Sequence, residues 1–213
     1  TTPTSTGAFL CDANMYHITN KQLYRQSPNQ SPALAYEIGP KLSTAVIDGI
    51  GFNSADGFIY GIVTTSGDGL TAGHLVRYGS NGVPTSMGAI TGSMTLSDLQ
   101  GIRGGDTDDA GNLIVSYGAS RSYIWSIDLA TRISTTVTLS TSINSSDLAY
   151  SNGKLYSLAG NTFTKITKDA APDYAWAATT ITAFSNTVSG DAIWSNGFGE
   201  VIVTPAGGSF SRT

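Results

Sequence analysis

Disulfides are the first thing this sequence excludes. Cysteine occurs once in 213 residues, at Cys11, so no two thiols of one chain can pair. Beside Leu10, it reads as a small buried hydrophobe rather than a nucleophile. Charge is scarce as well. Asp, Glu, Lys and Arg make up 12% of the chain, against about 25% in an average soluble domain. The 11 Lys and Arg are scattered and the net charge is −4, so there is no basic stripe. Nucleic acid and a polybasic membrane-surface site are therefore not expected as partners. No apolar run reaches the roughly 18 residues of a spanning helix, so membrane insertion is not expected either. The two histidines, His17 and His74, have no second His, Cys or acid at ligand spacing, which argues against zinc. No G-x-S-x-G elbow is present, and "TSGDGLTAG" at 65–73 lacks the Lys of a phosphate loop. The opening "TTPTSTG" has none of the parts of a signal peptide and reads as a linker or as the start of a trimmed domain.

Ser, Thr and 25 Gly take the place of charge. Thr suits strands and Gly suits turns, so the balance leans to β structure. With 40% hydrophobic residues the chain can bury one core, and residues 1–213 read as a single domain. An apolar pair then recurs after a tight turn: Met15-Tyr16, Ile59-Tyr60, Leu113-Ile114, Leu155-Tyr156 and Val201-Ile202. The spacings between first members are 44, 54, 42 and 46. A short apolar segment precedes each turn: "AFLC", "GIGF", "LQGI", "LAY" and "AIW". Third and fourth segments follow in most units, "TFTKIT" and "STTVTL" among them, with the period-two alternation of half-buried strands. No stretch offers an amphipathic helix.

Antiparallel four-stranded units repeating at a period in the forties are the signature of a β-propeller. The expectation is an all-β propeller of five four-stranded blades, with about 46 residues per repeat. The fifth unit runs short at "GGSFSRT", so residues 1–6 are either linker or a closing strand, a place where Pro3 would be tolerated. The grammar, clearest in "DGIGFNSADGFIYGI" at 48–62, resembles uncharacterised β-propeller-like repeat domains of secreted and cell-surface proteins of bacteria and fungi. That resemblance implies a fold and an extracellular setting and carries over no catalytic residue.

The candidate site residues fall in three groups. Asp48, Asp98, Asp147 and Asp191 each stand at the head of a first segment, the strand that lines the channel of a propeller. A ring of carboxylates there could hold Ca2+. The preferred reading is structural, with each Asp accepting backbone N–H groups. Asp106, Asp108 and Asp109 in "GGDTDDAGN" fall where a hairpin turn is expected and read as a solvated acidic turn, with calcium the alternative. Among the aromatics, Trp125 and Trp194 lie inside strands and read as core. Trp176, in the loop-like "APDYAWAATT", and Tyr174 form a candidate ligand-binding pair. Asn29 and Asn144 open N-x-S sequences that are as consistent with chance as with glycans.

Three functions fit these features. The first is a non-catalytic extracellular binding or adhesion module, with carbohydrate the favoured ligand. The second is a secreted carbohydrate-active enzyme, either a glycoside hydrolase or a lyase. The third is a structural spacer of a large surface protein. No cofactor is expected beyond the alternative of Ca2+.

Overall fold

A computed structural model of the chain describes residues 6–10, 14–27, 35–160, 162–168, 176–183, 190–195, 201–205 and 211–212. Among these residues every regular element is a strand, apart from one 3-10 turn at Leu99–Gly101. Strands β1 (Met15–Thr19), β2 (Gln22–Gln26) and β3 (Ala35–Ile38) form an antiparallel sheet in that order. The second sheet is a meander of β4 (Val46–Asn53), β5 (Phe58–Thr65), β6 (His74–Tyr78) and β7 (Pro84–Ala89). A short β8 (Thr91–Gly92) then leads into β9 (Ile102–Thr107), β10 (Asn112–Tyr117), β11 (Arg121–Asp128) and β12 (Ile133–Ile143). Next come β13 (Asp147–Ser151), β14 (Lys154–Ala159), β15 (Thr162–Lys168) and β16 (Trp176–Ala183). The last sheet is β17 (Gly190–Ser195), β18 (Val201–Pro205) and β19 (Ser211–Arg212).

Hydrogen bonding gives four sheets in a propeller-like arrangement, where the repeat predicts five blades. The difference lies in one place. The meanders β9–β12 and β13–β16 meet at a single parallel bridge, Leu139 to Trp176, which welds them into one nine-stranded sheet that also takes in β8. The first sheet has three strands among the described residues. "AFLC" does not provide its first strand: Ala8–Leu10 carry no strand pairing, and Phe9 N–H donates to the Gly57 carbonyl at 2.7 Å. Cys11 lies outside the described residues, as do residues 1–5 of the linker or closing strand. Thr6 and Gly7 run along the β6–β7 turn, where Ser80 N–H donates to Gly7 O at 3.0 Å.

Local chemistry explains the hairpins. Asn152 and Gly153 hold φ of 49° and 72° between β13 and β14, the mirror-image turn that Asn-Gly favours. Asp68, itself in the left-handed region at φ 51°, reaches back to the segment that enters β4. Its carboxylate accepts the N–H groups of Ser43, Thr44 and Ala45 at 2.8 to 3.1 Å. The Ser43 hydroxyl, which donates to Oδ1 at 2.5 Å, and then these N–H donors hold its pKa far below the usual carboxylate range.

The repeated apolar pair has a packing reason. Successive residues of a strand point to opposite faces. In β5, Ile59 joins a core with Ile47, Val76 and Leu23 of the first sheet, while Tyr60 joins a second core with Leu113, Trp125 and Ile127. In β10, Leu113 belongs to that second core and Ile114 to a third, with Leu139, Leu148 and Leu155. In β14, Leu155 faces the third core, and Tyr156 packs against a fourth with Ile193 and Val201. β5, β10 and β14 are thus packed on both faces by their neighbours, which no single sheet could do for itself.

The first strands approach one another at the centre. A Cβ on Gly105 of β9 would stand 2.4 Å from the Gly49 carbonyl carbon of β4. On Gly104 it would stand 2.6 Å from the Asp147 Cα of β13. The Gly-Gly pair in "IRGGDT" is what lets three backbones lie side by side.

Candidate functional site

The central strands place the sequence-derived acids unequally. Asp147 lies in β13. Its Oδ1 accepts the Leu148 N–H at 2.9 Å, and its Oδ2 accepts the Ile193 N–H of β17, also at 2.9 Å. Asp106 does the same one meander earlier: Thr107 N–H donates to Oδ1 at 2.8 Å and Tyr150 N–H of β13 to Oδ2 at 2.6 Å. Each carboxylate bridges its own strand to the first strand of the next meander, and that of Asp147 crosses to a separate sheet. Burial pushes the Asp106 carboxyl up to about 7 and that of Asp147 to about 8, against the pull of their N–H donors. The charge of Asp106 adds to the rise at Asp147.

Asp98 is a correction. It stands in an exposed turn, where its Oδ2 accepts Thr95 N–H and Oγ1, each at 2.8 Å, and it directly precedes the 3-10 turn instead of heading a strand. The first strand of that unit is "IRGGDT" and not "LQGI", so Asp106 takes the inner position. Asp106 therefore leaves the acidic turn to which the sequence assigns it. Asp108 and Asp109 do lie in the turn. Asp108 Oδ1 accepts the N–H groups of Ala110 at 3.0 Å and Asn112 at 2.8 Å. Asp48 lies in β4 and accepts Thr64 Oγ1 at 2.9 Å, and burial raises its pKa. Asp191 lies in β17 by its backbone. Among the described residues, no group of three or more His, Cys, Asp or Glu is placed to hold a metal ion.

Trp125 is buried in the second core, as expected. Trp176 opens strand β16 instead of standing in a loop, and Tyr174 and Asn29 lie outside the described residues. Asn144 is exposed. His74 Nδ1 is 2.9 Å from Ser86 Oγ. His17 stacks on Tyr24 with ring centroids 5.4 Å apart, and burial lowers its pKa.

A groove of about 450 Å3 opens on the first sheet, and sequence reasoning missed it. Cross-strand register builds its floor. Tyr16 of β1 pairs with Arg25 of β2, and Arg25 pairs with Tyr36 of β3, so the three side chains form one row. The Arg25 guanidinium carbon is 5.9 Å from the Tyr36 ring centroid. Phe9 packs on Tyr16 at 4.8 Å and, with Ser80, forms the far wall. His17, Tyr24 and Glu37 form the row on the opposite face. There the Tyr24 hydroxyl donates to Glu37 Oε1 at 3.3 Å. Alternation in "QLYRQ" already separates Tyr24 from Arg25. The partner of each could not be read, because a two-residue turn and a longer loop set the register.

Among described residues, no helix is long and apolar enough to cross a membrane. No curated protein matches the chain. Several solved structures share its fold. A protein of unknown function from Bacteroides thetaiotaomicron superposes with a TM-score of 0.57 at 13% identity, over 94% of this chain and 56% of its own. Glutaminyl cyclase from Myxococcus xanthus gives 0.53 at 14% identity, over 94% of this chain and 95% of the cyclase. An auxiliary nutrient binding protein from Bacteroides ovatus gives 0.51 at 12% identity, over 94% and 54%. The chain therefore spans little more than half of the two Bacteroides proteins. At such identities the likeness shows the fold alone. A family model described as a repeat of unknown function, DUF6923, matches residues 10–211, nearly the whole sequence, and the chain belongs to that family.

Proposed function

We propose that the chain is a non-catalytic binding module that works outside the cell and takes carbohydrate in the groove of the first sheet. The observation that carries this reading is the row Tyr16–Arg25–Tyr36, with Tyr36 45% exposed beside an exposed guanidinium. Sugars offer an apolar C–H face and a rim of hydroxyls. An open aromatic ring suits the first, and fixed N–H donors suit the second. Trp176 with Tyr174 stands as a second platform within the same proposal. The five-blade count belongs to it too: β9–β12 and β13–β16 meet at one bridge pair and each repeats the strand grammar.

The enzyme reading has less support. A retaining or inverting glycosidase needs two carboxyl groups free to face substrate. Asp106 and Asp147 are buried and carry a raised pKa, but their oxygens are committed to backbone donors of two strands. The same commitment supports a structural use of the inner acids over a Ca2+ ring. A glycan array probed with the wild type and with Tyr36→Ala tests the proposal. The expected result is sugar binding that Tyr36→Ala abolishes with no change in melting temperature. Binding to no glycan, or binding indifferent to Tyr36, overturns it.

A further inference from the structure

We infer that the sugar taken by this groove is acidic: a glycan containing uronic acid, whose carboxylate meets Arg25 while its ring covers Tyr36. The inference rests on the carbohydrate reading above.

Arg25 sits in the middle strand of the first sheet, flanked across both neighbours by Tyr16 and Tyr36. The guanidinium carbon stands 5.9 Å from the Tyr36 ring centroid, and the exposed Arg25 side chain lines the groove between the two tyrosines of its row. The nearest acid in sequence and register is Glu37, which borders the groove. Its carboxylate, however, accepts the Tyr24 hydroxyl in the row on the opposite face. Arg25 forms no ion pair among the described residues. Among the described residues its positive charge has no carboxylate partner, on a face lined besides by the rings of Phe9, Tyr16 and Tyr36, by Ser80 and by the border residue Glu37. Ser80 Oγ is already engaged with Thr6 O at 3.1 Å.

A planar fork of N–H donors matches a carboxylate through two parallel hydrogen bonds. Among the described residues β3 is last in its sheet, and no described strand neighbours the side of Tyr36 turned away from Arg25. A ring carrying a carboxylate uses both features at once. An acidic peptide would use the charge and leave the aromatic face bare. The net charge of −4 opposes anions at long range. At physiological salt, that field is screened beyond about 8 Å, and the short contact with Arg25 dominates.

Calorimetric titration of the full chain tests the inference with three probes: oligogalacturonate, the same oligosaccharide methyl-esterified, and poly-glutamate. The acid oligosaccharide should bind at least roughly tenfold more tightly than the ester, with an affinity that falls as salt rises. Arg25→Ala should bring the acid down to the level of the ester, and Arg25→Lys should recover part of the difference. Tyr36→Ala should weaken both. Equal affinity for acid and ester, or no effect of Arg25→Ala, overturns the acidic ligand and leaves the carbohydrate reading standing. Poly-glutamate binding as tightly as the acid, dependent on Arg25 and indifferent to Tyr36, overturns it in favour of an acidic peptide. Binding of neither sugar overturns the acidic ligand, and the glycan array decides the carbohydrate reading. Should Arg25→Ala fail to fold, Arg25→Gln keeps part of the stem, removes the charge and carries the same comparison.

Discussion

Asp147 of β13 accepts the backbone N–H of Ile193 in β17 at 2.9 Å, a hydrogen bond from one sheet of the ring to the next, 46 residues on in sequence. Asp106 makes the matching bond to Tyr150, 44 residues on. Together they show why acids recur in the inner strands, Asp147 opening β13 and Asp106 near the end of β9. Where central strands stand edge to edge without a continuous ladder, a side-chain acceptor must satisfy the outward N–H groups.

Asp147→Ala leaves the Leu148 and Ile193 N–H groups without their acceptor. The expected loss is about 1–3 kcal/mol for a buried donor left unpaired. Asp147→Asn keeps an acceptor oxygen and should lose less. Thermal melts with calcium and with chelator should superimpose for all three proteins. A wild-type melt that drops sharply on chelation, and drops less in Asp147→Asn, would show a cation at the inner acids.

Both buried acids link stability to pH. Their folded pKa values, about 7 for Asp106 and about 8 for Asp147, lie above those of the unfolded chain, near 4. Between these limits the folded state holds more protons than the unfolded state, so stability falls as pH rises. Below about pH 4 their contribution is complete, and above about pH 8 the loss is complete. Urea midpoints should therefore decline from pH 5 to pH 8.5, and the decline should shrink in an Asp106→Asn, Asp147→Asn double variant. A wild-type midpoint that rises over this range would contradict the assignment.

Ile114 of β10 is fully buried in the core shared with β13 and β14. Ile114→Ala should cost about 2–5 kcal/mol, the range for a large-to-small change in a core that cannot collapse. Ile133, 51% exposed in β12, is the control: Ile133→Ala should fall within about 0.5 kcal/mol of wild type. Equal effects at the two positions would mean that the repeated apolar pairs do not carry the packing between sheets.

How much of this was legible in the sequence depended on the length scale of the signal. The paired apolar residues locate the second strands closely: Leu113-Ile114 falls within β10, Asn112–Tyr117, and Leu155-Tyr156 within β14, Lys154–Ala159. Burial on both faces writes itself into consecutive residues. The first strands were harder. In the third unit a 3-10 turn occupies "LQG", so the strand begins later and Asp106, not Asp98, faces the neighbour. Two glycines with no side chain to announce a strand hid that shift. The groove was not legible at all. It requires the register that aligns Tyr16, Arg25 and Tyr36, and it requires Phe9 to leave its own unit for the Gly57 turn. Both are tertiary facts.

The central claim is that ligand binds on the first sheet. Amide chemical shifts of the isotope-labelled chain, followed during titration with oligogalacturonate, test it most directly. Shifts confined to residues 8–10, Tyr16, Arg25, Tyr36 and Ser80, and absent in Tyr36→Ala, are the predicted result. Shifts that leave these residues untouched, or that centre on Trp176, would contradict it.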